Sequence, residues 1–166
     1  MLVTNHHSEA GINEWREIIV RKLTSFAVAA VAALVIVAFA GAAEKYTVSA
    51  TLKNNTEVPR AKGAPFAKGS FSGTYVENKT GATLTWKLTY QRLTGKALAA
   101  HIHKGKAGQA GPVVVPLCGP CRNGQTGKVH ISKAVVSALE GNNAYVNVHT
   151  AKNAGGEIRG QVKVAE

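Results

Sequence analysis

GSFSGTYVENKTGATLTWKLTY, residues 69–90, is the stretch on which the fold turns. Two strand-like runs, Gly69–Val76 and Thr83–Tyr90, flank the turn signal Glu77-Asn78-Lys79-Thr80-Gly81, and that arrangement predicts an antiparallel hairpin. The same rhythm extends in both directions. Lys45–Leu52 alternates Tyr46, Val48, Ala50 and Leu52 on one face. Ala97–His103, Pro112–Leu117, Thr126–Ile131, Ala144–His149 and Glu157–Val164 follow as further strands between Gly, Asn and Lys clusters. One segment departs from it. In Ser132–Glu140 a serine can cap, Val135, Val136 and Leu139 fall at helical spacing, and Gly141 can terminate. About eight strands and one short helix predict an all-β fold, an antiparallel Greek-key β-sandwich of the superoxide-dismutase or immunoglobulin type.

Within that pattern three histidines stand out: His101 and His103 in Ala99-Ala100-His101-Ile102-His103, and His149 in Tyr145-Val146-Asn147-Val148-His149-Thr150. Strand side chains alternate faces, so His101 and His103 leave the same side, roughly 6 to 7 Å apart. A second strand ending in His149 can supply the third corner of a metal site. Two other roles are open to the same residues: strand-end histidines that hydrogen-bond backbone carbonyls, and a direct ligand site. His130 reads as an ordinary strand residue, and Trp86 and Tyr90 as core or partner surface. Each histidine strand runs into a glycine-rich loop, Lys104–Gly111 after His103 and Ala151–Gly156 after His149. An antiparallel sandwich would bring both loops to one end, beside the site.

Residues 26–43 read FAVAAVAALVIVAFAGAA, preceded by Arg21-Lys22, as a secretory signal does. Ala40-Gly41-Ala42 fits the cleavage pattern, with Ala38-Phe39-Ala40 as a rival, so the expected organisation is a leader over 1–42 and one domain over 43–166. Residues 1–19 lack the basic opening of a signal, which places the expected translation start near Val20. An uncleaved anchor is the alternative, although about 18 apolar residues is at the lower limit for a span. The leader carries three bases and three acids, so the whole excess of +11 belongs to the domain. That charge favours an anionic surface, a polysaccharide or phospholipid head groups over nucleic acid, for which no basic run or known module is present. A basic surface serving only solubility is the simpler alternative.

The chain contains no aspartate, which removes an EF-hand loop and a Ser-His-Asp triad. The domain's glutamates sit mostly at loop edges, leaving little support for paired-carboxylate hydrolysis, and no nucleophile lies beside a plausible base. Cys118 and Cys121 in Leu117-Cys118-Gly119-Pro120-Cys121 read as a local disulfide in an exported protein. A redox pair of the same spacing would need a strand-to-helix context that is absent here.

Several motifs occur together in order: Asn55-Thr56-Glu57-Val58-Pro59, Ala100-His101-Ile102-His103 with its glycine-rich loop and Pro112-Val113-Val114, and Gly141–Thr150 followed by Gly155-Gly156-Glu157-Ile158-Arg159-Gly160-Gln161. This combination resembles the CHRD domain, named for its repeats in chordin and found singly in exported bacterial proteins, over roughly Tyr46–Val164. In chordin the domain belongs to an extracellular regulator of growth factors. More remotely, His101, His103, His149 and Arg159 are similar in order to the copper-site residues of copper/zinc superoxide dismutase. The bridging fourth histidine and the zinc-binding loop have no counterpart between His103 and Cys118, so the resemblance implies at most a mononuclear three-histidine copper site.

The reading that follows is an exported CHRD-domain binding or structural module, periplasmic or extracellular, of undetermined ligand. Its expected partner is an extracytoplasmic protein, an anionic surface or a polysaccharide, with no nucleic acid and no membrane span once the leader is removed. The alternative is a superoxide-dismutase-like redox protein with copper as cofactor, bound by His101, His103 and His149. In that alternative Arg159 and Glu157 support the site or draw small anions, while Cys118 and Cys121 form the disulfide.

Overall fold

In the computed structural model, which describes residues 44–166, the 69–90 stretch is a long hairpin of β2 (Lys68–Asn78) and β3 (Gly81–Gln91) with an unbroken register from Lys68↔Gln91 to Asn78↔Gly81. The leader, its cleavage site and the suggested start near residue 20 lie outside the described residues. Around the hairpin the remaining strands are β1 (Lys45–Lys53), β4 (Ala97–Lys104), β5 (Val113–Cys118), β6 (Gln125–Ser132), β7 (Ala144–Thr150), β8 (Ile158–Gln161) and β9 (Lys163–Ala165). All pairings are antiparallel, in the order β5-β4-β7-β8-β1-β2-β3-β6, with β9 continuing β8 along β1. The chain passes from β3 to β4 and from β6 to β7 over the strands between, which are Greek-key connections. The two layers of the expected sandwich are halves of one sheet curled into a nearly closed barrel.

The seam of that barrel lies between β5 and β6. A disulfide joins Cys118 and Cys121 in the connection across it, where the Cys121 amide donates to the Ala97 carbonyl at 3.0 Å and the Gly124 amide to that of Leu88 at 2.9 Å. β5, one flank of the seam, is only six residues long and contains Pro116.

Inward-facing positions come from every second residue, as the pleat requires: Val48, Ala50 and Leu52 on β1, Leu84, Trp86 and Leu88 on β3, Ala100 and Ile102 on β4, Val146 and Val148 on β7. The helix α1 (Lys133–Glu140) adds Val135, Val136 and Leu139 to the core. Ser132 caps it as expected, accepting from the Val135 amide, whereas Gly141 keeps an ordinary φ of −75° and the left-handed conformation falls on Asn142 (φ 51°). Trp86 faces a glycine on each neighbouring strand, Gly73 and Gly127, which makes room for the indole.

A methyl group at Gly127 would stand 2.4 Å from Trp86 Cζ2, a rigid ring atom within the core, whereas one at Gly95 would meet nothing within 4 Å. Gly127→Ala is therefore expected to lower stability by about 1–3 kcal/mol in urea unfolding, and Gly95→Ala to leave the midpoint almost unchanged.

Candidate metal centre

The register of β4 with β7 assembles the site. Ala99 stands opposite His149, His101 opposite Asn147 and His103 opposite Tyr145, so the three histidines occupy the sheet face opposite the hydrophobic core. That face is nevertheless covered. On β7 both faces are largely buried, and Tyr145, Asn147, Glu157 and Arg159 lie almost out of contact with solvent. Their cover is formed by the 54–67 segment, the loop after β4 and the loop after β7. The result is a second, polar interior outside the barrel.

One ring nitrogen from each of His101, His103 and His149 lies within 4.8 Å of the other two, and His101 Nδ1 is 3.1 Å from His149 Nε2. His103 Nδ1 is 2.8 Å from the Gly111 carbonyl oxygen and His149 Nδ1 is 2.9 Å from that of Ala154. A carbonyl only accepts, so in both rings Nδ1 carries the proton and a neutral ring presents Nε2 as a bare lone pair. The His103 Nε2 is buried and has no hydrogen-bond partner. Burial, followed by the neighbouring imidazoles, lowers the pKa of His101. In His149 burial is again the largest influence and lowers the pKa, despite the opposing bond to Ala154. Neutral imidazoles with their outer nitrogens fixed by backbone carbonyls are the form in which histidine binds metals.

Arg159 and Glu157 each hold one of the loops that supply those carbonyls. Arg159 Nη2 donates to the Lys106 and Gln109 carbonyls at 2.9 and 2.8 Å, pinning the loop that carries Gly111. Its guanidinium carbon sits 3.3 Å from the centre of the Tyr145 ring, and that ring stacks on His103 at 4.8 Å and 12°. Because β4 and β8 flank β7 on opposite sides, Tyr145 stands between Arg159 and His103. Glu157 accepts from the Thr94 amide and hydroxyl, from Thr150 Oγ1 at 2.5 Å and from Asn153 Nδ2 at 2.9 Å, which ties down the loop that carries Ala154. Burial alone would raise the Glu157 pKa, but the bonds from Thr150, Thr94 and Asn153 outweigh it and the group is lowered.

One site residue escaped the sequence reading, which gave Glu57 only a role in a turn. It is buried beside Asn147 and Gly156, and its Oε1 lacks a hydrogen-bond partner. Desolvation pushes its pKa up to about 7 against the lowering effects of the Val58 amide, Arg159 and Asn147. The signal available in the sequence was its place in Asn55-Thr56-Glu57-Val58-Pro59, one of the motifs shared with a known family. His130 is exposed on β6, away from the cluster, and Trp86 belongs to the core. Among the described residues no helix is long and apolar enough to cross a membrane.

The family model for the CHRD domain matches residues 48–162, more than half of the chain. Neither the curated proteins nor the solved structures compared with the chain give a match.

Glu57 binds a proton more tightly in the folded chain than an unperturbed carboxyl does in the unfolded one. Its stabilising contribution is complete below about pH 4.5 and is lost as pH rises through 7. Glu57→Gln is expected to remove a pH dependence on the order of 3 kcal/mol between pH 4.5 and 8. Urea unfolding of both proteins across that range measures it, and their difference cancels the opposite slope from His101 and His149.

Proposed function

The chain belongs to the CHRD domain family, and from that membership together with the clustered imidazoles we propose that it is an extracytoplasmic binding module whose ligand is one copper ion held by His101, His103 and His149. The observation that carries the reading is the pair of Nδ1–H groups anchored on the Gly111 and Ala154 carbonyls, which aims two Nε2 lone pairs toward His101. Three neutral imidazoles suit copper or zinc, and the ordinary affinity order of divalent metals favours Cu(II). The 3.1 Å between His101 Nδ1 and His149 Nε2 is close to the roughly 3.3 Å that two nitrogens on one tetrahedral ion adopt. With the His149 Nε2 bare, the proton in this gap belongs to His101 Nδ1 in the metal-free protein. An ion would take its place once His101 shifted that proton to Nε2.

In this reading Arg159 and Glu157 are positioning residues. Each acts through a loop on the carbonyl that orients one histidine. Arg159 lies beyond Tyr145 from the imidazoles, so its charge is spent on the loop and the Tyr145 ring and does not face the proposed ion. Export is supported by the Cys118–Cys121 disulfide, a bond that persists in oxidising compartments.

Copper binding is tested by calorimetry and by the electron paramagnetic resonance spectrum of the loaded protein, with zinc as competitor. One Cu(II) per chain is expected, with affinity reduced by at least about 100-fold in His103→Ala and in His149→Ala. Arg159→Lys and Glu157→Gln keep all three imidazoles and are expected to lose about 10–100-fold. Wild-type binding no tighter than that of a His103→Ala/His149→Ala double variant would overturn the reading.

A further inference from the structure

We propose that the outer face of β1, β2, β3, β6 and β9 is a binding surface for an acidic polysaccharide, separate from the histidine cluster. The register sets Lys53 directly opposite Lys68, Ser72 opposite Lys87, Thr85 opposite Lys128 and Ser49 opposite Lys163, so these five lysines share one face of the sheet. All five are exposed. No strand position registered on this face is an acid. Lys45, at the far end, is the exception in its surroundings, since it borders a small cavity with Glu44 and Glu166.

Two features show that this is more than a solvated surface. Like charges directly opposite each other on neighbouring strands, about 4.5–5.5 Å apart at Cβ, destabilise a sheet, yet Lys53 and Lys68 are so placed. The same corner opens into a groove of about 740 Å³ lined by Lys53, Lys68, Arg60 and Arg92, with no acidic residue in its lining. A second groove of about 520 Å³ continues from it through the shared Lys68 and Gly69 and reaches Lys87. Arg92 holds a φ of 59°, a conformation that favours glycine, and Phe66 stands 70 % exposed on the groove wall. Four cations around an open groove, an aromatic at its rim and a lysine-bearing face beyond match an extended polyanion.

The rest of the face selects among polyanions. Between the lysines the outward positions are serine and threonine hydroxyls, such as Ser70 and Thr89, which are 2.7 Å apart. Hydroxyls can both donate to and accept from the hydroxyls of a sugar chain. The outer face of the sheet presents no helix to enter a nucleic-acid groove and no apolar helix to lie in a bilayer interface. A chain of uronic acid residues supplies carboxylates for the lysines and hydroxyls for the serines and threonines.

The experiment compares the wild-type protein with two variants of equal net charge: Lys53→Gln/Lys68→Gln/Lys87→Gln on the face, and Lys79→Gln/Lys96→Gln/Lys133→Gln elsewhere. Binding to polygalacturonate is measured at several salt concentrations, with neutral dextran, duplex DNA and anionic phospholipid vesicles as comparison probes. A tenfold or greater loss in the face variant, with the other variant within twofold of wild type, is expected. The face variant should melt no lower than wild type, since it removes an opposed charge pair, so lost binding does not reflect lost folding. Equal losses in both variants would reduce the effect to diffuse charge and overturn the proposal. Tighter, face-dependent binding of DNA or vesicles than of polygalacturonate would overturn it in favour of those partners. His103→Ala should bind the polysaccharide as wild type does, which keeps this test independent of the copper reading.

Discussion

The antiparallel register that sets Ala99 against His149 and His103 against Tyr145 is the constraint on which the site depends. Strand side chains repeat every two residues, so the same pairing sends Ala100, Ile102, Val146 and Val148 into the barrel and the odd-numbered neighbours outward. A slip of one residue would exchange the two sets, placing imidazoles in the hydrocarbon core and aliphatic groups under the polar loops. The hydrophobic core therefore specifies the histidine geometry without touching a histidine. The arrangement of the three imidazoles is fixed by the stability of the fold itself.

What the register starts, the loops complete. An exposed strand face would leave the imidazoles hydrated and free to rotate. Here two loops fold back over that face, each held by one buried charged residue: Arg159 through the Lys106 and Gln109 carbonyls, Glu157 through Thr94, Thr150 and Asn153. A buried charge is costly unless hydrogen-bonded, and these two are bonded to the segments whose positions matter for the histidines, Arg159 through Nη2 while its Nη1 stays unpartnered. Glu57 differs in that desolvation makes it hold its proton, and it brings the 54–67 segment into the same polar interior.

Local signals in the sequence were enough for the hairpin at residues 69–90, for the Ser132 cap and for the shared face of His101 and His103, because each depends on residues close along the chain. The disulfide also followed from spacing and context. Partnerships across long stretches were less accessible. That Glu57 would lie beside Asn147, or that Arg159 would sit over Tyr145, depends on where covering loops land on a sheet, and no periodicity encodes it. The lysine face is an intermediate case. Alternation within each strand was readable, but the alignment of Lys53 with Lys68 and of Thr85 with Lys128 needed the strand order and register. The closure of two expected layers into one curled sheet likewise came from β8 and β9 both pairing with β1.

The incomplete closure between β5 and β6 bears on how copies of the molecule meet one another. An open barrel exposes strand edges, and an exposed edge is a template on which a second chain can add a strand. This edge offers little to such a chain: β5 is short, its Pro116 has no amide proton, and at Cys118 the chain turns away into the Cys118–Cys121 disulfide. The disulfide that joins the seam thus also ends the β5 edge, discouraging edge-to-edge aggregation.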